Sequence, residues 1–244
     1  TNNNIKLARL VSGEEIVGDI IVEKNSILIQ EAYSLVAPEP GKIAFIPFMA
    51  YAKNTSGFRI KNEFVMFVGP MFGGKTTKLL SAIDRYKYQG RKILAFKPNV
   101  DERYSKEEIV THWGHKLDAA RVSSGDDVVS AVNDQPLGVV AVDEAFMIEG
   151  VGDALINLFT AGHTVLVSSL QLSSDFTPYK EMQIMMPYAT KIEVCPAVCS
   201  VCGSDAHYTK KIGGRSDHKI EVGGSEMYQP VCFDHFYAER KAFQ

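Results

Sequence analysis

Two patterns of apolar positions divide the chain. Ile5-Lys6-Leu7-Ala8-Arg9-Leu10-Val11 alternates with period two, and residues 16–22 are apolar and rich in β-branched side chains. Turn-forming clusters at 12–15 and 23–26 separate these runs from residues 27–29, and Pro38, Pro40 and Gly41 interrupt the chain before 43–46. No helical period appears before residue 62. The pattern predicts a small all-β unit, a curled barrel of about five strands. From Phe64 onward, short apolar runs alternate with segments of helical period. Strands are predicted at 64–68, 93–96, 138–142, 165–168 and 191–194, and helices at 76–89, 126–133, 153–161 and 179–188. Apolar strands alternating with amphipathic helices imply a parallel sheet covered on both faces. The tail from 197 reads as irregular. The expected division is 1–62, an all-β domain; 63–194, an α/β domain; and 195–244, a small cysteine-bearing subdomain.

The first candidate site lies in the α/β region. Gly69-Pro70-Met71-Phe72-Gly73-Gly74-Lys75-Thr76 fits Gly-x4-Gly-Lys-Ser/Thr, between a predicted strand and a predicted helix. In a chain this long the pattern arises by chance about once in a hundred. Glycines let backbone N–H groups curl round phosphate oxygens, and the helix that follows aims its positive end at the same anion. Lys75 supplies a mobile cation, and the Thr76 hydroxyl suits Mg²⁺. The second is the strand 138–142, which ends in Asp143 and Glu144 at the carboxyl edge where open α/β sheets bind ligands. Asp143 suits the magnesium, and Glu144 suits a general base.

All four cysteines, Cys195, Cys199, Cys202 and Cys232, lie in the last fifth of the 244 residues. Cys199-x2-Cys202 and Cys232-x2-His235 offer four N/S ligands, the set of a closed structural Zn²⁺ site in a reducing, cytoplasmic compartment. His207 and His218 lie between the hooks and can replace a ligand; Cys195 reads as a core thiol. His112, His115 and His163 have no partner spacing and read as surface or packing residues.

Composition narrows the classes. The chain is 45% hydrophobic and 23% charged, with a net charge of −3. That excludes a disordered chain and gives no basic excess for nucleic acid. No apolar run has the length of a membrane span, and no leader is visible at the start.

These motifs resemble the type II thymidine kinases over about residues 64–236. GPMFGGKTTKLL (69–80), FKPNVDERY (96–104), THWGH (111–115), VDEA (142–145), AVCSVCG (197–203) and VGGSEMYQPVCFDHF (222–236) occur in the family's order. The resemblance implies a P-loop α/β kinase that passes the γ-phosphate of ATP to the 5′-hydroxyl of thymidine or a related deoxynucleoside. It implies that Gly69, Met71, Gly73, Gly74, Lys75, Thr76 and Thr77 hold the nucleotide, and that Asp101 and Arg103 sit by the phosphates and sugar, Arg103 with a catalytic part beside Lys75 and Glu144. It also implies that Val222, Gly223, Gly224, Ser225 and Tyr228 form a lasso over the base, with Phe176 as a candidate aromatic. Homo-oligomers and inhibition by thymidine triphosphate go with the family.

The family pattern is not complete. Ala145-Phe146-Met147 follows the acidic pair where a Gln is usual, and Gln171 stands where an acid is usual. These departures keep open another P-loop nucleoside kinase or ATPase, or a degenerate kinase fold used as a binding module. Residues 9–20 and 43–48 resemble phage Sm-like barrels. The Asp-x-x-x-Asn signature for RNA bases is absent there, and residues 1–62 carry seven Lys/Arg against six Asp/Glu, a net of +1. The expectation is an assembly role without RNA.

Overall fold

The computed structural model describes residues 62–100, 108–109, 116–213 and 223–238 in full, and the backbone alone at 5–9, 15–23, 26–39, 42–47, 58–61 and 110. In the first region β1 (Ile5–Arg9), β2 (Glu15–Glu23), β3 (Ser26–Glu39), β4 (Lys42–Pro47) and β5 (Phe58–Lys61) form a five-stranded antiparallel sheet. Its order is β1-β2-β3-β4, with β5 on β3. Pro38 does not end its strand as expected: β3 runs through it, and the register with β4 shifts between Val36 and Glu39. A bulge is where a sheet tolerates a residue that has no N–H.

The second region is built on β6 (Phe64–Val68), α1 (Lys75–Tyr88), β7 (Ile93–Pro98), β8 (Glu108–Val110), β9 (Lys116–Asp118), β10 (Ala120–Val122), α2 (Gly125–Val132), β11 (Val139–Val142), α3 (Val151–Thr160), β12 (Thr164–Ser169), α4 (Lys180–Met185) and β13 (Lys191–Val194). Six of these strands form one parallel sheet in the order β10-β7-β11-β12-β6-β13. Strand alternation sorts its side chains into two cores. Phe64, Met66, Val140, Val142, Val165 and Val167 pack with Val128, Leu155 and Met182 from α2, α3 and α4. Val65, Phe67, Val139, Ala141 and Leu166 pack with Leu79, Leu80 and Ile83 of α1. Each fully buried side chain of this size contributes about 1.5–3 kcal/mol.

Helix boundaries follow local chemistry. Ser124 accepts the Asp127 N–H while Asp127 reaches back to the Ser124 N–H, so a capping box starts α2. Glu181, on α4, accepts the N–H groups of Gly150 and Gly152 at 3.2 and 2.8 Å and satisfies the start of α3. The helix expected over 179–188 is α only through Met185. Pro187 lies in a 3-10 turn, Met186–Tyr188, because it has no N–H to continue the ladder. The strand β10 and the β8–β9 hairpin were too short for any period to show.

The described residues of the tail expected to be irregular form short strands and a helix. β14 (Ala197–Val198) pairs β15 (Asp205–Ala206), β16 (Tyr208–Lys211) pairs β17 (Tyr228–Val231), and α5 (Phe233–Tyr237) follows. Two-residue strands carry no readable alternation. A small core of Ala197, Cys199, Ala206, Val231 and Phe236 holds this lobe together.

Candidate active site and metal cluster

The loop from Gly69 to Lys75 leaves the end of β6 and turns into α1. Gly74 caps α1 at φ 71°, a conformation costly for other residues, and nothing lies within 4 Å of its missing Cβ. Gly69 has a different constraint: a Cβ there would meet the Cys195 carbonyl oxygen at 2.2 Å, and one on Gly73 would meet it at 2.3 Å. Phe72, exposed at the tip, also has positive φ, 66°. Lys75 is buried, and its Nζ donates to the Pro70 carbonyl at 2.7 Å. Thr77 is exposed on the first turn of α1, and Met71 is half-buried in the loop.

Strand order brings the second motif to the first. β12 lies between β6 and β11, and its end contributes Ser168. The Thr76 hydroxyl donates to Asp143 Oδ2 and Oδ1 at 3.1 and 3.2 Å, and Ser168 donates to Oδ1 at 2.5 Å. Burial and the neighbouring Glu144 carboxylate push Asp143 up to about 6, against the pull of Ser168, Thr76 and Lys75. A buried carboxylate beside a hydroxyl, with burial working against its charge, is a donor set suited to a hard cation such as Mg²⁺. β11 stops at Val142, so strand alternation does not aim Glu144. It sits at φ 49°, ψ 43° at the start of a 3-10 turn, Ala145–Met147. A left-handed non-glycine residue costs about 1–2 kcal/mol and such residues cluster at functional sites.

Beyond Glu144, Phe146 donates its N–H to Ser169 Oγ at 3.2 Å, and its ring lies 4.5 Å from that of Tyr179. Burial, followed by the neighbours Tyr228, Asp175 and Glu144, pushes the Tyr179 hydroxyl upward. The end of the expected lasso thus lies near the acidic strand end. Gly223, Gly224 and Ser225 lead into Tyr228 through a tight turn in which Tyr228 N–H donates to Gly224 O at 3.0 Å. Gln171 is half-buried, and its Oε1 is buried with no hydrogen-bond partner. The structure places Phe176 in the cysteine lobe, where its ring packs 5.8 Å from Tyr208 and 5.4 Å from Phe236, at φ 72°. Asp101, Arg103 and Val222 lie outside the described residues, as do His112, His115 and His218.

The donor atoms of Cys199, Cys202, Cys232 and His235 all lie within 4.8 Å of one another. Cys199 Sγ to His235 Nδ1 is 3.7 Å, Cys202 Sγ to Cys232 Sγ is 3.8 Å, and Cys232 Sγ to His235 Nδ1 is 3.1 Å. A tetrahedral zinc with Cys and His ligands has edges of roughly 3.5–3.8 Å, so two of these three edges already match, the third is short, and side-chain shifts within the 4.8 Å cluster complete the fit. The sulfurs are free thiols. Burial opposes ionisation of Cys199, but the amides of Cys232, Val201 and Cys202 outweigh it and bring the thiol down to about 6, toward the thiolate that binds metal. Cys195 is buried at the end of β13, apart from this cluster.

Sequence reading did not find Ser168, Tyr179, Thr209 or the Cys195 carbonyl. The polar end of the 165–168 strand was a usable signal for Ser168; the others have none in the local pattern.

Among the described residues, no helix is long and apolar enough to cross a membrane. A family model described as thymidine kinase matches residues 62–236. A thymidine kinase from Pyrobaculum aerophilum is 34% identical over 180 residues, covering 70% of this chain and 97% of that protein. With the phosphate loop, the acidic strand end and the cysteine cluster in one arrangement, this chain belongs to the thymidine kinase family.

Proposed function

We propose that the protein transfers the γ-phosphoryl group of ATP to the 5′-hydroxyl of thymidine. The observation that carries the reading is the cluster of Lys75, Thr76, Asp143 and Ser168 at the mouth of the phosphate loop. Backbone N–H groups at the start of α1 and the Lys75 ammonium bind the phosphates. Mg²⁺, when bound with the nucleotide, supplies charge neutralisation for the transferred group. Thr76 and Asp143 would hold it, and Ser168 fixes the Asp143 carboxylate. Glu144 takes the proton of the attacking hydroxyl, from a left-handed backbone position directly after Asp143. Gly223, Gly224, Ser225 and Tyr228 close over the nucleoside, supported by a structural Zn²⁺ held by Cys199, Cys202, Cys232 and His235. Asp101 and Arg103 act beside the phosphates and sugar on the strength of the resemblance, which also supports a homo-oligomer, inhibition by thymidine triphosphate and a cytoplasmic setting.

A second reading concerns the acceptor. The buried, unpartnered Oε1 of Gln171 is an acceptor that the protein does not satisfy, where the family pattern has an acid. It favours a nucleoside that presents a donor there. A nucleoside panel with ATP tests both readings: thymidine monophosphate as the main product supports the first, another monophosphate the second, and free phosphate alone defeats both. For residues 1–62 the proposed role is assembly without RNA. Deleting 1–60 should alter oligomer size and leave phosphoryl transfer in place; Asn62, which donates to Phe159 O at 2.7 Å, must be kept.

A further inference from the structure

Among the described residues, a hydrogen bond between partners 138 residues apart joins the phosphate loop to the cysteine lobe. The Met71 N–H donates to Thr209 Oγ1 at 3.0 Å, and Thr209 is 6% exposed. Met71 N–H and Pro70 C=O belong to one peptide unit. That unit is planar and trans, so its N–H and C=O point to opposite sides and turn together. On the other side, Pro70 O accepts Lys75 Nζ at 2.7 Å and Gly73 N–H at 3.4 Å. The peptide is therefore held at both ends, by Thr209 from the lobe and by Lys75 from α1.

Thr209 is well placed to hold it. It lies in β16, opposite Pro230 of β17, and β17 runs into Cys232 of the metal cluster. Cys195, which leads into the lobe, presses its carbonyl against Gly69 and Gly73 of the same loop.

We propose that Thr209 is a positioning residue for nucleotide binding: through the Pro70–Met71 peptide it sets where the Lys75 ammonium rests. This rests on reading residues 69–76 as the phosphate site. A rotated peptide would release Lys75 and leave a loop amide unsatisfied before any phosphate arrives. The cost then falls on nucleotide affinity and spares the nucleoside.

The test is equilibrium binding of Mg·ADP to the full chain, which does not depend on the acceptor. Thr209→Val keeps the shape and removes the acceptor; Thr209→Ser restores it. Thr209→Val should bind Mg·ADP roughly tenfold more weakly, with zinc content and thermal midpoint near wild type, and Thr209→Ser should recover most of the affinity. Where turnover is measured, the KM for ATP should rise and the KM for thymidine should hold. Wild-type affinity in Thr209→Val overturns the proposal, as does a loss that Thr209→Ser does not repair. If Thr209→Val does not fold, amide exchange on the wild type decides: the Met71 amide should be protected without nucleotide, and exchange at the unprotected rate overturns the proposal. A wild-type protein that binds Mg·ADP but phosphorylates no thymidine would defeat the proposed function and leave this inference standing.

Discussion

The carbonyl oxygen of Cys195 occupies the space in which a side chain on Gly69 would begin, 2.2 Å from where that Cβ would lie. The first glycine of the phosphate motif is thus required by the backbone behind it as well as by the ligand in front. Gly69→Ala should shift that backbone, cost about 1–3 kcal/mol of stability and weaken nucleotide binding. Gly74→Ala meets no atom within 4 Å and should cost only about 1 kcal/mol, through its positive φ. Thermal melts of the two variants check the contrast; equal losses would contradict it.

Glu144→Gln should separate chemistry from binding. It keeps the shape and removes the base, so kcat should fall about 10²–10⁴-fold with ATP affinity nearly unchanged. Lys75→Ala should damage both, since Lys75 is buried in the phosphate loop. Near-normal turnover by Glu144→Gln, when the chemical step is rate-limiting, would remove Glu144 from the mechanism.

Cys232→Ser should release zinc, lower the thermal midpoint and weaken nucleoside binding, because Cys232 follows directly on the β17 strand that starts at Tyr228. Through Thr209 it should weaken Mg·ADP binding as well. Metal analysis, melts and the two binding assays follow these effects. A variant that keeps its zinc, or an active wild type that holds none, would refute the site.

His163 gives the fold an acid-sensitive point away from the active site. It is 5% exposed, and its Nδ1 accepts the Gly138 N–H at 3.3 Å. Burial first, and then the Arg91 charge, lower its pKa. The folded state therefore favours neutral histidine. Its contribution is fully present above the ordinary value of about 6.5 and is lost as pH falls through the lower folded value. Melts taken from about pH 8 down to pH 5 should show a decline below 6.5 that flattens in His163→Gln. Equal declines in both proteins would assign the acid response to other groups.

Some of this was legible in local sequence. Residues 69–76 form a phosphate motif because its chemistry needs glycines, a lysine and a hydroxyl in one short run. The hooks at Cys199, Cys202, Cys232 and His235 are legible for the same reason: ligand spacing within each hook is local. The long buried strands and amphipathic helices show because period and burial repeat over many residues. Other features were decided only by the tertiary arrangement. The order β11-β12-β6 brings Asp143 to Thr76 and inserts Ser168 between their strands. Glu144 takes its direction from a left-handed turn that no periodicity encodes. Phe176 packs in the metal lobe, and Thr209 reaches Met71 across 138 residues. Each depends on which distant backbones the packed sheet and lobe bring together. A hydrogen bond or ring contact between distant residues leaves no repeating signature in either segment alone.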